Sequence, residues 1–311
     1  MQPIRVIFMG TPVFSCSILE TLIKENYNVV AVVSQPDKKV GRKQEVQMTP
    51  VKQLALANNI EVVQPNSIKD EYENILAYKP DLIVTCAYGQ FIPKVILDYP
   101  KYGCINVHAS LLPRYRGGAP IHKVIIDGEK ETGITIMEMI PKMDAGKMYA
   151  KDSVVIAEDD TTASLHDKLM VCGANLLKNS LPLYLDGKLP GENQDESLAT
   201  FAYNISKEEE YVSFKRDVNV VYNHIRGLIS WPVGYGVVDE KRIKLHKAHK
   251  LVAAHDYQSG KILGLENDAL KVACENGYIY LDELQLEGKK KMSAKEVFNG
   301  HKELFKDAYF N

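Results

Sequence analysis

The chain has 311 residues, enough for two domains of about 100 to 200 residues, each with its own core. Its 38 Lys and Arg nearly cancel its 40 Asp and Glu, so no global field draws in a polyanion, and any nucleic-acid contact must come from local basic patches. With 45% hydrophobic and 25% charged residues, the composition excludes a disordered or fibrous chain and is that of a globular one.

Short β-branched runs alternate with amphipathic stretches through the first half. A buried strand over 5–9 leads to a helix over 14–24 with Ile18, Leu19, Leu22 and Ile23 inward, then to a strand over 29–33. A polar loop over 34–48 follows, and a helix that Thr49 caps and Pro50 opens runs through Leu54 and Ala57. Strands over 60–63, 81–86 and 104–108, with helical patterns between them, make a parallel sheet of βαβ units the most economical architecture: an α/β, Rossmann-like domain. The turn after the first strand, Met9-Gly10-Thr11-Pro12, lacks the glycine spacing that seats a dinucleotide pyrophosphate, which disfavours NAD and an oxidoreductase.

A strand over 133–139 precedes a helix that Thr161 caps and that ends near Pro182. Residues 187–196 have the Gly, Pro and polar content of a linker, so the expected division is a first domain over 1–188, a linker over 189–206 and a second domain over 207–311. In that second part a helix over 217–227 is followed by short strands over 243–245, 261–265, 270–274 and 278–281, the pattern of a small OB-like β-barrel. Cys16, Cys86, Cys104, Cys172 and Cys274 stand apart, without a Cys-x-x-Cys pair or a neighbouring His at zinc-ligand spacing, and read as reduced, packed thiols with no metal site. The first residues carry too short an apolar run for a signal peptide, and no stretch approaches the roughly 20 apolar residues of a membrane span, so a cytoplasmic monomer without a membrane partner is expected.

Side chains alternate along a strand, so Asn106 and His108 point to one side where the 104–108 strand ends. Ligands of open α/β sheets bind at that carboxyl end, and a carboxamide donor beside an imidazole suits a carbonyl to be polarised and a proton to be moved. Taken alone, a hydrogen-bonded structural Asn and a packed His explain the pair at least as well. The run Ser110-Leu111-Leu112-Pro113-Arg114-Tyr115-Arg116-Gly117-Gly118-Ala119-Pro120 is a Gly- and Pro-punctuated loop that can bring backbone close to a flat ligand. Pro141-Lys142-Met143-Asp144-Ala145-Gly146 puts one carboxylate on a turn, where Asp serves equally as a turn-former. The loop with Lys38, Lys39, Arg42 and Lys43 is long for a βαβ connection, and by itself such a loop is as readily a solvated surface.

Asn106-x-His108, the 110–120 run and Asp144-x-Gly146 resemble the active-site motifs of the folate-dependent formyltransferases. Gly10-Thr11-Pro12, Gln35-Pro36-Asp37, Gly41-Arg42, Ala87-Tyr88-Gly89, Glu131-Thr132-Gly133-Ile134-Thr135 and Trp231-Pro232 extend the likeness over nearly the whole chain, toward those members whose acceptor is methionyl-tRNA. The resemblance implies direct transfer of a formyl group from 10-formyltetrahydrofolate to the methionine amine of initiator methionyl-tRNA, with no metal in the chemistry. It implies catalytic roles for Asn106, His108 and Asp144, and folate contacts at Ser110, Leu111, Leu112, Pro113, Tyr88, Gly89 and Gln90. It also implies tRNA contacts at Lys38, Lys39, Arg42 and Lys43, with the C-terminal barrel as a further basic surface. Two departures stand out: Val13 where the family usually has Asp, and Ile229-Ser230 before Trp231-Pro232 in place of Asn-Pro. The alternatives are a formyltransferase acting on an amino-sugar nucleotide or glycinamide ribonucleotide, and, from another class, a non-catalytic tRNA-binding protein.

Overall fold

A computed structural model describes residues 3–41 and 44–311. Its elements in chain order begin β1 (Arg5–Gly10), α1 (Val13–Lys24), β2 (Asn28–Val33), β3 (Lys38–Val40), β4 (Glu45–Gln47), α2 (Pro50–Ala57) and β5 (Val62–Val63). Next come α3 (Tyr72–Leu76), β6 (Leu82–Cys86), α4 (Lys94–Leu97), β7 (Cys104–His108), α5 (Pro120–Ile126), β8 (Glu131–Glu138), β9 (Met148–Val155) and α6 (Thr162–Leu185). The chain continues through α7 (Val218–Gly227), β10 (Tyr235–Val238), β11 (Lys241–Val252), β12 (Ile262–Glu266), β13 (Ala269–Cys274), β14 (Gly277–Leu286), β15 (Met292–Ser293), α8 (Ala294–Gly300) and α9 (Lys302–Phe305). It divides into two compact units, Met1–Pro120 with Glu131–Val154 and His166–Tyr203, and Ile121–Lys130 with Val155–Leu165 and Asn204–Asn311.

The first unit is built on a sheet in the order β5-β2-β1-β6-β7-β8-β9. Val6, Ile7, Phe8 and Met9 of β1 are fully buried, as a strand covered on both faces of a parallel sheet must be. Helix α1 buries Ile18, Leu19 and Leu22, and the α2 cap is the expected one, with the Thr49 hydroxyl accepting from Lys52 N–H at 3.2 Å. The expectation of an all-parallel sheet needs one correction: β7 and β8 run antiparallel, Asn106 opposite Met137 and His108 opposite Thr135. The chain between them makes only α5 and re-enters the sheet at the carboxyl end of β7 without crossing over, so the next strand runs the opposite way.

Two further expectations are revised. The 34–48 loop contains an antiparallel hairpin, β3 against β4 with Lys38 opposite Gln47, outside the main sheet. Its strands are three residues each and bury no face, with Val46 itself exposed, so they leave too short a hydrophobic pattern to read. Helix α6 does not end at Pro182 but at Leu185, since Pro182 sits in the last turn and removes a single backbone donor while Leu177 and Leu181 continue the buried stripe.

The second unit is an antiparallel sheet ordered β10-β11-β14-β13-β12, with β15 on β14. Helix α7, capped by Asp217 accepting from Asn219 N–H at 2.7 Å, buries Val218, Val221 and Ile225 in its core. Barrel closure does not come from pairing of β10 with β12. The C-terminal tail supplies it: Ile262 N–H donates to Ala308 O at 3.0 Å, Phe310 N–H to Gly260 O at 2.8 Å and Asn311 N–H to Val237 O at 3.0 Å. The buried Phe310 ring, 4.6 Å from that of Phe214, anchors the tail. Among the described residues no helix is long and apolar enough to cross a membrane.

Candidate functional site

Strand β7 ends where β1 and β6 also present their carboxyl ends, and it carries Asn106 and His108 two residues apart, on one side of the sheet. Thr85 of β6 lies opposite Asn106, and its hydroxyl donates to Asn106 Oδ1 at 2.8 Å. That contact leaves the amide nitrogen as the outward end of the carboxamide, and the nitrogen makes no hydrogen bond among the described residues. The result is a half-exposed donor held by a neighbouring strand.

His108 is buried, and its Nε2–H donates to Tyr115 O at 3.0 Å. This fixes the tautomer: the lone pair of the neutral ring is on Nδ1, which faces Asp144 Oδ2 at 3.7 Å. The gap is too long for a direct hydrogen bond, yet a proton taken up on Nδ1 would sit beside a carboxylate that is itself only 14% exposed. Asp144 Oδ2 in turn accepts the Gly117 N–H at 2.8 Å.

Three residues here hold the left-handed backbone region without being glycine, Ala87 at φ 47°, Tyr115 at φ 60° and Asp144 at φ 46°, an arrangement that persists only where surroundings enforce it. Gly146 is dictated by space, because a Cβ there would fall 2.0 Å from Glu138 O. The Asp-x-Gly spacing therefore reflects a turn pressed against the end of β8.

The expected folate residues fall into two groups. Ser110 is buried, its hydroxyl donating to Arg114 O at 2.7 Å and its carbonyl accepting from Thr135 Oγ1 at 2.7 Å, while Leu112 N–H donates to the same Thr135 oxygen at 3.1 Å. Leu112 packs against Met137 and Met148, and Leu111 and Pro113 are half-buried beside it. In the other group, Ala87 and Gly89 expose backbone at the end of β6, but the Tyr88 ring belongs to the core with Ile7, Met9 and Ile83. The buried Tyr88 hydroxyl has no hydrogen-bond partner among the described residues, and burial pushes its pKa above the ordinary tyrosine value. The Gln90 amide is committed to its own scaffold, accepting from Ile68 N–H at 2.9 Å and donating to Pro65 O at 3.3 Å.

Cys104 points inward, with Sγ 3.7 Å from Ile96 O and from Leu97 O, and burial pushes its thiol up to about 12, so it is neutral and no nucleophile. All five cysteines are free thiols, and four are buried. Lys38 and Lys39 are exposed on β3, whereas Arg42 and Lys43 lie outside the described residues. Val13, at the first turn of α1, is exposed. Among the described residues no group of His, Cys, Asp and Glu could hold a metal ion. Thr85 escaped the sequence reading, and Gly117 and Thr135 entered it only inside longer motifs, without a role; each is tied to the site by a partner more than twenty residues away, which only the tertiary structure makes visible.

The chain matches the formyl transferase family model over residues 4–181 and that of the formyl transferase C-terminal domain over 204–302. It is 50% identical over 302 residues to the methionyl-tRNA formyltransferase of Bacillus cytotoxicus, covering 96% of both chains, and 48% identical over 299 residues to that of Bacillus licheniformis, covering 95% of both. Among solved structures, HypX from Aquifex aeolicus in complex with tetrahydrofolic acid superposes with a TM-score of 0.65 at 17% identity, covering 94% of this chain and 46% of its own, so this chain spans about half its length. Matched by both family domains, and half identical over nearly its full length to these relatives, the chain belongs to the methionyl-tRNA formyltransferase family of formyl transferases.

Proposed function

We propose that this chain transfers the formyl group of 10-formyltetrahydrofolate to the α-amine of methionine on initiator methionyl-tRNA. One observation carries the chemistry: the amide nitrogen of Asn106, without a hydrogen bond among the described residues, lies on the same side of the sheet as His108, whose Nδ1 faces the Asp144 carboxylate at 3.7 Å. The amine lone pair forms the new bond to the formyl carbon, the bond from that carbon to N10 of the folate breaks, the amine sheds a proton, and N10 leaves with one. Asn106 Nδ2–H would bind the formyl oxygen as its charge grows, a contribution of about 3 kcal/mol for a preorganised donor. His108 would take up the amine proton on Nδ1, where Asp144 stabilises the imidazolium. No covalent formyl-enzyme is needed, which agrees with the neutral thiol of Cys104.

The folate is assigned to the 110–113 stretch and to the exposed backbone at Ala87 and Gly89, where a flat ring can approach without meeting side chains. The tRNA is assigned to the basic hairpin with Lys38 and Lys39, together with Arg42 and Lys43, and to the 207–311 region as a second basic surface. The reading places a monomer in the cytoplasm and gives no step to a metal.

The test is formyl transfer from 10-formyltetrahydrofolate to charged initiator tRNA, with charged elongator methionyl-tRNA, glycinamide ribonucleotide and an amino-sugar nucleotide as parallel acceptors. Transfer confined to the initiator is the expected result. Transfer to the sugar or the ribonucleotide alone would overturn the acceptor, and no transfer by folded protein would favour a binding module.

A further inference from the structure

The segment over 189–203, expected to be linker, belongs to the first unit and contacts the turn that carries Asp144. Gln194 Nε2 donates to Asp144 O and to Gly146 O, each at 2.8 Å. Its Oε1 accepts from Arg116 Nε at 3.0 Å and Nη2 at 2.8 Å. A guanidinium has only donors and a peptide carbonyl only accepts, so the amide has a single workable orientation. Arg116 is fully buried, and Glu196 closes its remaining face at 3.0 and 3.1 Å. The same strip of chain holds the other side of the imidazole: Tyr115 N–H donates to Thr200 Oγ1 at 2.9 Å, Arg116 N–H to Thr200 O at 2.9 Å and Ala202 N–H to Arg116 O at 2.7 Å.

Both contacts of His108 thus rest on this strip. Tyr115 O, which fixes Nε2–H, is braced by Thr200, and the left-handed turn that presents Asp144 is braced by Gln194. We infer that Gln194, oriented by the buried Arg116, is a positioning residue for the formyl transfer, holding the Asp144 turn so that its carboxylate faces His108. The inference rests on the proposed role of Asp144. A guanidinium in this setting is not needed to neutralise the site, since Glu196 already pairs with it; its use is to fix one amide.

The experiment compares the full-length enzyme with Gln194→Leu, Asp144→Asn and the double variant, using 10-formyltetrahydrofolate and charged initiator tRNA. In Q194L kcat falls by about 10²-fold, the cost of misplacing a reacting group by about an ångström, while KM for both substrates stays within about twofold. The double variant is no slower than D144N alone, because Gln194 acts only through Asp144. A Q194L enzyme with near wild-type kcat beside an impaired D144N, a change in KM alone, or a double variant that loses the product of both factors would each overturn the inference. Wild-type kcat in D144N would instead remove the role of Asp144, and this inference with it. Gln194→Ser, too short to reach either carbonyl, carries the same expectations should the leucine variant not fold.

Discussion

Replacing Gly117 by alanine tests how the Asp144 carboxylate is held. Gly117 has φ +123°, a conformation side chains resist, and a Cβ on it would lie 2.7 Å from Ala202 O and 3.1 Å from Ala202 C. Ala202 cannot simply withdraw, because its carbonyl accepts from Ala119 N–H at 2.9 Å and its own N–H donates to Arg116 O at 2.7 Å. The loop must therefore move, by about half an ångström to restore van der Waals contact, and the Gly117 N–H leaves Asp144 Oδ2. Backbone strain costs about 1 to 3 kcal/mol, and losing an N–H donor to a carboxylate costs about 1.5 to 3 kcal/mol. At 1.36 kcal/mol per decade, the second figure corresponds to a fall in kcat/KM of about 10- to 100-fold. The strain lowers the thermal midpoint by about 2 to 4 °C per kcal/mol. Steady-state formyl transfer and a thermal melt on one preparation read both. Wild-type kcat/KM in the alanine variant, whatever its melting temperature, would refute the argument that this amide places Asp144.

Asn106→Ala should lower kcat by about 10²- to 10³-fold with the fold intact, since it removes a donor and leaves Thr85 with Ile105 O as an alternative acceptor; circular dichroism alongside the rate separates the two effects. Cys104→Ala should cost about 1 kcal/mol of packing in a denaturant melt and leave kcat unchanged, and a large loss of rate would reopen the thiol as a nucleophile. Lys38→Glu with Lys39→Glu should raise KM for tRNA and flatten its dependence on salt by about one to two units of log–log slope, leaving KM for the folate unchanged. His224 accepts from Arg216 Nη2 at 3.0 Å and donates to Glu209 O at 2.8 Å, and burial, the largest influence, holds its pKa below the ordinary histidine value. Above about pH 6.5 the ring is neutral folded and unfolded alike; below it the unfolded chain takes up a proton first, so stability falls with pH by up to about 1.4 kcal/mol per unit until the folded ring titrates. His224→Gln should flatten that slope in melts between pH 7 and pH 5, and an unchanged slope would place the acid sensitivity elsewhere.

Local signals in the sequence were enough for what depends on neighbours. Thr49-Pro50 announced a capped helix because cap and first turn lie within four residues, and alternation along 104–108 put Asn106 and His108 on one side because the period of a strand is two. The β3–β4 hairpin left no such mark, since an exposed ladder of three-residue strands is too short to carry a hydrophobic period, and Pro182 misled because a breaker near a helix end costs only one donor. What only the tertiary structure decided is the company these residues keep. Thr85 meets Asn106, Gly117 meets Asp144, and the turn at Gly260 that leads into β12 meets the C-terminal tail, all between segments that share no local pattern. Side-chain periodicity records which face of an element is buried, whereas a hydrogen bond across 27 or 78 residues depends on strand order and register, which no single element encodes.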